Sequence, residues 1–197
     1  FSSRKAETFR IETRKVALHG RSFKVAATTD NLLPGYPDPV AGWLNIGVLH
    51  TALEGSAEHA RYAPCSVAEL QAKGYQYWAL GHVHEHWVQR GDVTIAYPGN
   101  LQGRHIRELG VRGALLVSAE DGEITELERL EVDVLRWHML DIDVSVVADM
   151  RSAVRMVGLA MEQLLESTPA DLPLAVRVVF KGCSAAHAEL IVDEGQL

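Results

Sequence analysis

The stretch SVAELQAKGYQYWALGHVH, residues 66–84, sets a helix signal, a strand signal and two histidines in immediate succession. Ser66 is the expected helix N-cap, Glu69 follows it with the spacing of a capping box, and a glycine ends the helix. The run YQYWAL, residues 75–80, has the length and apolar character of a buried strand. Because the apolar run LNIGVL at residues 44–49 precedes the helix, the order strand, helix, strand predicts two parallel strands joined by a crossover.

Strand and helix signals continue on both sides of this unit. Strands are predicted at residues 8–11, 15–18, 93–97, 113–119, 134–144 and 173–180. Residues 28–42 contain three prolines and predict a loop. Residues 146–166 repeat apolar side chains at spacings of three and four, which predicts an amphipathic helix. This alternation of strands and helices predicts an α/β protein.

The character of the chain changes near residue 134. Residues 120–133 are rich in acidic side chains around Asp121-Gly122, which predicts a solvated hairpin. The segment after this hairpin follows a β-α-β-α pattern. We therefore predict two domains, residues 1–134 and residues 135–197, of which the second is small and of the α+β class.

Composition and charge restrict the function classes. The net charge of −7 argues against a broad, sequence-blind nucleic-acid surface over the whole chain. No apolar run approaches the roughly 20 residues that cross a bilayer, the polar start is not a signal peptide, and Cys65 and Cys183 are interpreted as reduced thiols. We expect a cytoplasmic protein without membrane contact. Because the chain opens on Phe1 and enters a strand signal almost at once, we also expect further residues before it.

Histidines follow two of the predicted strands. His50 ends the run at 44–49, and His82 and His84 follow the run at 75–80. Open α/β sheets bind ligands at the carboxyl ends of their strands, and a His-x-His pair places two imidazoles on one side of an extended backbone. Three converging imidazoles predict a site for a zinc, manganese or iron ion. Spacing alone leaves open a mononuclear zinc site and a two-metal site whose carboxylates come from elsewhere.

Two other histidines are interpreted as non-ligands. His86 lies in a predicted turn. His19 follows the strand signal at 15–18, where we expect either a role in supporting the metal ligands or a purely structural role. Trp87 and Tyr97 are interpreted as packing residues, although an aromatic ring at this place is also able to stack on a base.

Five stretches carry a resemblance to a known family. They are VALHGRSF (16–23), NIGVLHTALEG (45–55), YAPCSVAEL (62–70), YWALGHVHEHW (77–87) and YPGNLQGRHIRELGVRGALLV (97–117). Together they resemble the later half of the catalytic domain of SbcD-like DNA repair exonucleases, which are calcineurin-like metallophosphoesterases. The segment after them stands where such enzymes have a capping domain that presents DNA.

The resemblance implies a fold and a metal site. The fold is part of a two-sheet metallophosphoesterase sandwich with flanking helices. The site holds two divalent metal ions, manganese in the first place, with magnesium, iron and zinc as alternatives. By resemblance, His50 and His82 bind one metal and His84 binds the other. The family's Asp-x-His, bridging Asp and Asn-His motifs have no match in this sequence, so the chain is expected to carry no catalytic residue beyond these ligands and to be inactive alone.

The function implied by the resemblance is hydrolysis of DNA phosphodiester bonds by a two-metal exo/endonuclease in DNA repair. The implied partners are DNA and an SMC-like ATPase of the SbcC type, and the resemblance admits a homodimer. Asn100, Arg104 and Arg107 lie in the most basic stretch near the site, and they are the candidate nucleic-acid contacts because guanidinium groups grip phosphate in a bidentate manner.

Three alternatives remain open at this point. The protein is a calcineurin-like phosphoesterase for small phosphoesters, a non-catalytic module that binds DNA or a partner, or a mononuclear zinc enzyme with three histidine ligands. The predicted second domain favours the nuclease, because a small-substrate phosphatase does not need it.

Overall fold

The computed structural model of the protein describes residues 1–53 and 62–192, the last three by their backbone alone. Residues 54–61, where the quoted stretch NIGVLHTALEG ends, lie outside the described residues. The chain divides into two compact units. Unit 1 contains Phe1–Leu101 and Gly113–Val132, and unit 2 contains Gln102–Arg112 and Asp133–Leu197.

Unit 1 is built on one mixed sheet. Its strands are β1 (Glu7–Ile11), β2 (Val16–Gly20), β3 (Leu44–His50), β4 (Tyr77–Gly81), β5 (Trp87–Gln89) and β6 (Thr94–Tyr97). Their order across the sheet is β1-β2-β3-β4-β6-β5. The four central strands run parallel, and the two edge strands β1 and β5 are antiparallel to their neighbours. The predicted α/β class is confirmed, although the short strand β5 was not predicted.

Helix α1 (Val67–Ala72) makes the crossover between β3 and β4. The Ser66 hydroxyl accepts a hydrogen bond from the Glu69 N–H at 3.2 Å, and the Glu69 carboxylate accepts one from the Ser66 N–H at 2.7 Å. These bonds satisfy two donors that a helix start leaves unpaired. The predicted capping box is confirmed, and with it the parallel pairing of the strands on either side.

The core of unit 1 surrounds two aromatic residues and a histidine. Tyr75 stacks on Trp78 with ring centroids 5.0 Å apart, and His19 stacks on Tyr75 at 4.3 Å. His19 Nε2 donates to Asn45 Oδ1 at 3.0 Å, and its Nδ1 accepts from the Thr8 hydroxyl at 2.9 Å. Burial lowers the pKa of the His19 imidazole. The predicted structural role of His19 is confirmed.

A separate hairpin completes unit 1. Strands β7 (Gly113–Glu120) and β8 (Glu123–Glu131) pair antiparallel around the predicted turn. Asp121 and Gly122 both take positive φ, 50° and 86°, which is the backbone of a tight hairpin turn that matches the strand twist. The predicted hairpin is confirmed.

Unit 2 has a β-α-β-α order. Its elements are β9 (Arg136–Asp143), α2 (Met150–Glu166), β10 (Leu174–Lys181) and α3 (His187–Val192). The strands pair in parallel, as a crossover helix requires. The start of α2 lies later than predicted, because Asp149 caps it by accepting from the Ser152 N–H at 2.8 Å.

Unit 2 also includes the loop Gln102–Arg112, which the sequence alone did not show. The Gln102 amide donates to the Leu135 carbonyl at 2.7 Å, and the Trp137 indole donates to the Gly103 carbonyl at 3.0 Å. These bonds tie the loop to the start of β9. Among the helices that the structure describes, none is both long enough and apolar enough to cross a membrane.

Candidate metal centre

His50 and Gly81 are paired at the ends of the neighbouring strands β3 and β4. Because the strands are parallel, their carboxyl ends meet at one edge of the sheet. A Cβ atom at position 81 would lie 3.2 Å from His50 Nδ1. Glycine at this position therefore leaves room for the imidazole of His50.

His82 follows directly and has an unusual backbone. Its φ is 103°, a conformation that side chains with a Cβ rarely adopt and that costs about 1–3 kcal/mol. This turn brings its ring to that of His50, with centroids 5.1 Å apart and planes at 68°. Strain of this kind persists only where the surroundings hold it, and it clusters at functional sites.

The surroundings of His50 favour its neutral imidazole. Desolvation lowers the pKa of His50, and the neighbouring His82 and His84 lower it further. A neutral imidazole is the form that binds metal ions, because a protonated ring has no lone pair to offer.

Aromatic rings flank the two histidines. Phe23 meets the His50 ring edge-on at 5.3 Å, and Tyr62 meets the His82 ring edge-on at 5.2 Å. The sequence analysis assigned no role to either residue. Phe23 follows β2 and Tyr62 precedes α1, so neither is close to the histidines along the chain. No sequence signal was able to find them, because sheet order brings them together.

The segment around His84 contacts the loop Pro98-Gly99-Asn100 through its backbone. The Asn100 N–H donates to the His84 carbonyl at 3.2 Å. Gly99 has φ 85°, and a Cβ atom there would lie 2.9 Å from that carbonyl oxygen. The structure therefore brings the Asn100 backbone next to the main chain of His84.

His86 is held differently. The Pro98 backbone accepts a hydrogen bond from its ring, and burial is the main cause of the lowered pKa of this imidazole. Its Nδ1 is buried and, within the described part of the chain, has no hydrogen-bond partner. That His86 is not a metal ligand stays a prediction.

Two aromatic residues were expected to pack. Tyr97 is buried, and its hydroxyl donates to the Thr51 carbonyl at 2.8 Å, which confirms a packing role. The ring centroids of Trp87 and Tyr97 lie 6.1 Å apart, but 37% of the Trp87 surface is exposed.

The donor chemistry fits a divalent transition metal, since neutral imidazoles are ligands that zinc, manganese and iron accept. His50 and His82 lie together, and His84 is near enough to lower the pKa of His50. Residues 1–53 and 62–192 contain no group of three or more His, Cys, Asp or Glu side chains placed to hold a metal ion. The assignment of His50, His82 and His84 as metal ligands therefore stays a prediction.

The candidate nucleic-acid arginines lie in unit 2, on the loop Gln102–Arg112. Arg104 is 66% exposed at its side chain, and its Nη2 lies 3.5 Å from a carboxylate oxygen of the buried Glu108. Arg107 is exposed. Arg112 is buried and donates to the Leu109 carbonyl at 2.8 Å, so the third arginine of the loop has a structural role.

Comparisons with known proteins bear on both units. A family model described as "Metallophosphoesterase YhaO, middle domain" matches residues 137–197. A Bacillus subtilis (strain 168) protein, described as an uncharacterized metallophosphoesterase YhaO, is 35% identical over 179 residues. Both comparisons support the metallophosphoesterase superfamily. They do not single out its SbcD-like members.

The aligned region covers 89% of this chain and 43% of the Bacillus protein. The chain therefore spans less than half the length of this metallophosphoesterase relative. The family match at residues 137–197 falls within the predicted second domain.

Proposed function

We propose that the protein is a metal-dependent phosphodiesterase that hydrolyses DNA, as SbcD-like repair exonucleases do. The observation that carries this proposal is the close approach of the His50 and His82 rings at the carboxyl ends of two neighbouring parallel strands. The similarity to metallophosphoesterases supports hydrolysis of phosphoesters as the reaction class.

In this proposal each histidine has a separate task. His50 and His82 hold one divalent ion, and His84 holds a second, with manganese as the first choice. Bound ions of this kind supply a water of lowered pKa and neutralise charge on the phosphate. The chain's own residues orient these side chains: Gly81 leaves space for the His50 imidazole, and the Gly99 turn places the Asn100 backbone beside the His84 carbonyl. The remaining ligands and the catalytic histidine are proposed to come from residues outside this chain.

DNA is the proposed substrate for two reasons. The exposed side chains of Arg104 and Arg107 offer positive charge for phosphate contacts, and Asn100 lies beside the His84 main chain. A second compact unit is also more than a small phosphoester requires. A cytoplasmic location remains a prediction from the composition. An SMC-like ATPase partner of the SbcC type and a homodimer remain predictions from the resemblance.

The decisive experiment is a His84→Ala substitution in the full-length protein. Mn²⁺-dependent cleavage of DNA should be lost, while the melting temperature stays close to that of the parent, because His84 lies after the end of β4. His187→Ala is the matched control, since this exposed histidine lies outside both the candidate metal centre and the arginine loop and should leave cleavage unchanged.

Two outcomes would contradict the proposal. Retained cleavage in the His84→Ala variant would remove this residue from the metal centre. A parent protein that hydrolyses small phosphoesters but no DNA would favour the small-substrate phosphoesterase.

A further inference from the structure

Tyr62 is placed against the most strained residue of the candidate metal centre. The strand β4 ends at Gly81, one residue before His82. The His82 φ of 103° is unfavourable for a residue with a Cβ, and such a conformation persists only where the surrounding contacts hold it.

Two rings provide that support. His50 meets the His82 ring at 5.1 Å with planes at 68°, and Tyr62 meets it at 5.2 Å with planes at 79°. Both arrangements are edge-to-face contacts, which hold aromatic rings at a defined angle. His50 is itself a proposed ligand, which leaves Tyr62 as the ring with no proposed role in metal binding.

The backbone around Tyr62 is fixed to the residues that follow His50. The Tyr62 carbonyl accepts from the Ala52 N–H at 2.9 Å, and the Ala63 carbonyl accepts from the Thr51 hydroxyl at 2.8 Å. Ala63 is fully buried with φ 40°, a second left-handed residue on the other side of the Tyr62–His82 contact. The Tyr62–His82 ring contact thus joins one residue with a positive φ, His82, to the residue that directly precedes another, Ala63.

Tyr62 differs from the structural tyrosines of unit 1. Tyr36, Tyr75 and Tyr97 are buried in the apolar core cluster, and each donates its hydroxyl to a backbone carbonyl. Tyr62 is half-buried and does not belong to the core cluster of the described residues. Its ring contacts a proposed metal ligand instead.

We propose that Tyr62 is a positioning residue that holds the His82 imidazole in the orientation required for binding a divalent metal ion. The proposal rests on the proposed metal centre and adds a residue that acts through His82. The aromatic ring carries this role, and the hydroxyl is not needed for it.

The test is a calorimetric titration in which Mn²⁺ alone is added to the full-length, metal-free protein. Tyr62→Leu and Tyr62→Met should weaken Mn²⁺ binding roughly 10- to 100-fold, as loss of a ligand-orienting contact does. Tyr62→Phe, which keeps the ring, should bind like the parent. Phe9→Leu is the control for loss of an aromatic ring, because Phe9 is exposed on the edge strand β1.

A second readout separates positioning from a general structural role. DNA cleavage by the leucine and methionine variants should return towards the parent rate at saturating Mn²⁺, whereas a damaged fold would not recover. Two results would overturn the proposal: parent-like Mn²⁺ affinity in a folded non-aromatic variant, or a Tyr62→Phe variant as weak as Tyr62→Leu. If the parent binds Mn²⁺ but cleaves no DNA, the proposed nuclease fails, and the titration still decides the role of Tyr62.

Discussion

Gly81 faces His50 across the β3–β4 pair, and a Cβ atom at position 81 would lie 3.2 Å from the imidazole Nδ1. This distance is tighter than ordinary van der Waals contact, so Gly81→Ala should push the His50 ring aside. Because the end of a side chain is displaced and not the backbone, we expect little change in melting temperature. Mn²⁺ affinity of the full-length protein should fall by roughly a factor of ten.

The matched control for this substitution is Gly158→Ala. Gly158 lies within α2, and nothing lies within 4 Å of the position of its Cβ. Alanine there should stabilise the protein by about 0.5–1 kcal/mol and leave Mn²⁺ affinity unchanged. If both alanine variants bind Mn²⁺ like the parent, the space beside His50 is not needed for the metal.

Gly99→Ala should destabilise the loop that supports His84. The residue has φ 85°, and an added Cβ would lie 2.9 Å from the His84 carbonyl oxygen. We expect a loss of about 1–3 kcal/mol in the free energy of unfolding, measured by denaturant titration. Gly42 also has a positive φ, 75°, but nothing lies within 4 Å of the position of an added Cβ. Gly42→Ala should therefore reduce the free energy of unfolding less than Gly99→Ala, and equal losses would show that the His84 contact is unimportant.

Arg136→Met should destabilise unit 2 because it removes the charged partner of the buried Asp133 carboxylate. Arg136 Nε lies 2.8 Å from Asp133 Oδ2 and its Nη2 lies 2.9 Å from Oδ1, and both residues are buried. Breaking such a pair costs about 3–5 kcal/mol in the free energy of unfolding at pH 7. Lys181→Met breaks the exposed pair with Asp141 and should cost less than about 1 kcal/mol.

The Asp133–Arg136 pair also predicts how stability depends on pH. Burial raises the pKa of Asp133, but the hydrogen bonds and charge of Arg136 outweigh it and hold the pKa below its ordinary value. In the parent, this contribution to stability is present above about pH 4 and is lost as pH falls further. In Arg136→Met, only the backbone hydrogen bonds from Arg112 and Asp133 are left to oppose the effect of burial on the Asp133 pKa, so this contribution above pH 4 becomes smaller. The substitution should therefore cost least at low pH, and a cost independent of pH would contradict this account.

Arg104→Ala should weaken DNA binding by the full-length protein and flatten its dependence on salt. If the exposed guanidinium neutralises one phosphate, the slope of log affinity against log salt should decrease by about one. Arg14→Ala is the control, because Arg14 is an exposed arginine between β1 and β2. An unchanged slope in Arg104→Ala would remove this residue from the DNA path.

Local signals in the sequence determined the elements of this protein. The Ser66–Glu69 capping box, the Asp121-Gly122 turn and the apolar run before His50 all depend on residues within a few positions of each other. Short-range hydrogen bonds and backbone preferences of this kind are set by the neighbouring residues alone. The α/β class and the meeting of His50 with His82 followed from them, because parallel strands bring their carboxyl ends to one edge.

Only the tertiary structure decided which distant residues meet. Phe23 and Tyr62 pack on the two histidines, and the loop with Arg104 belongs to unit 2. Arg112 is buried, whereas Arg104 and Arg107 of the same loop are exposed. These relationships depend on sheet order, register and side-chain packing, which join residues far apart along the chain. The periodicity of apolar residues and the spacing of motifs do not predict such contacts, because these contacts stabilise the protein only when the whole unit is folded.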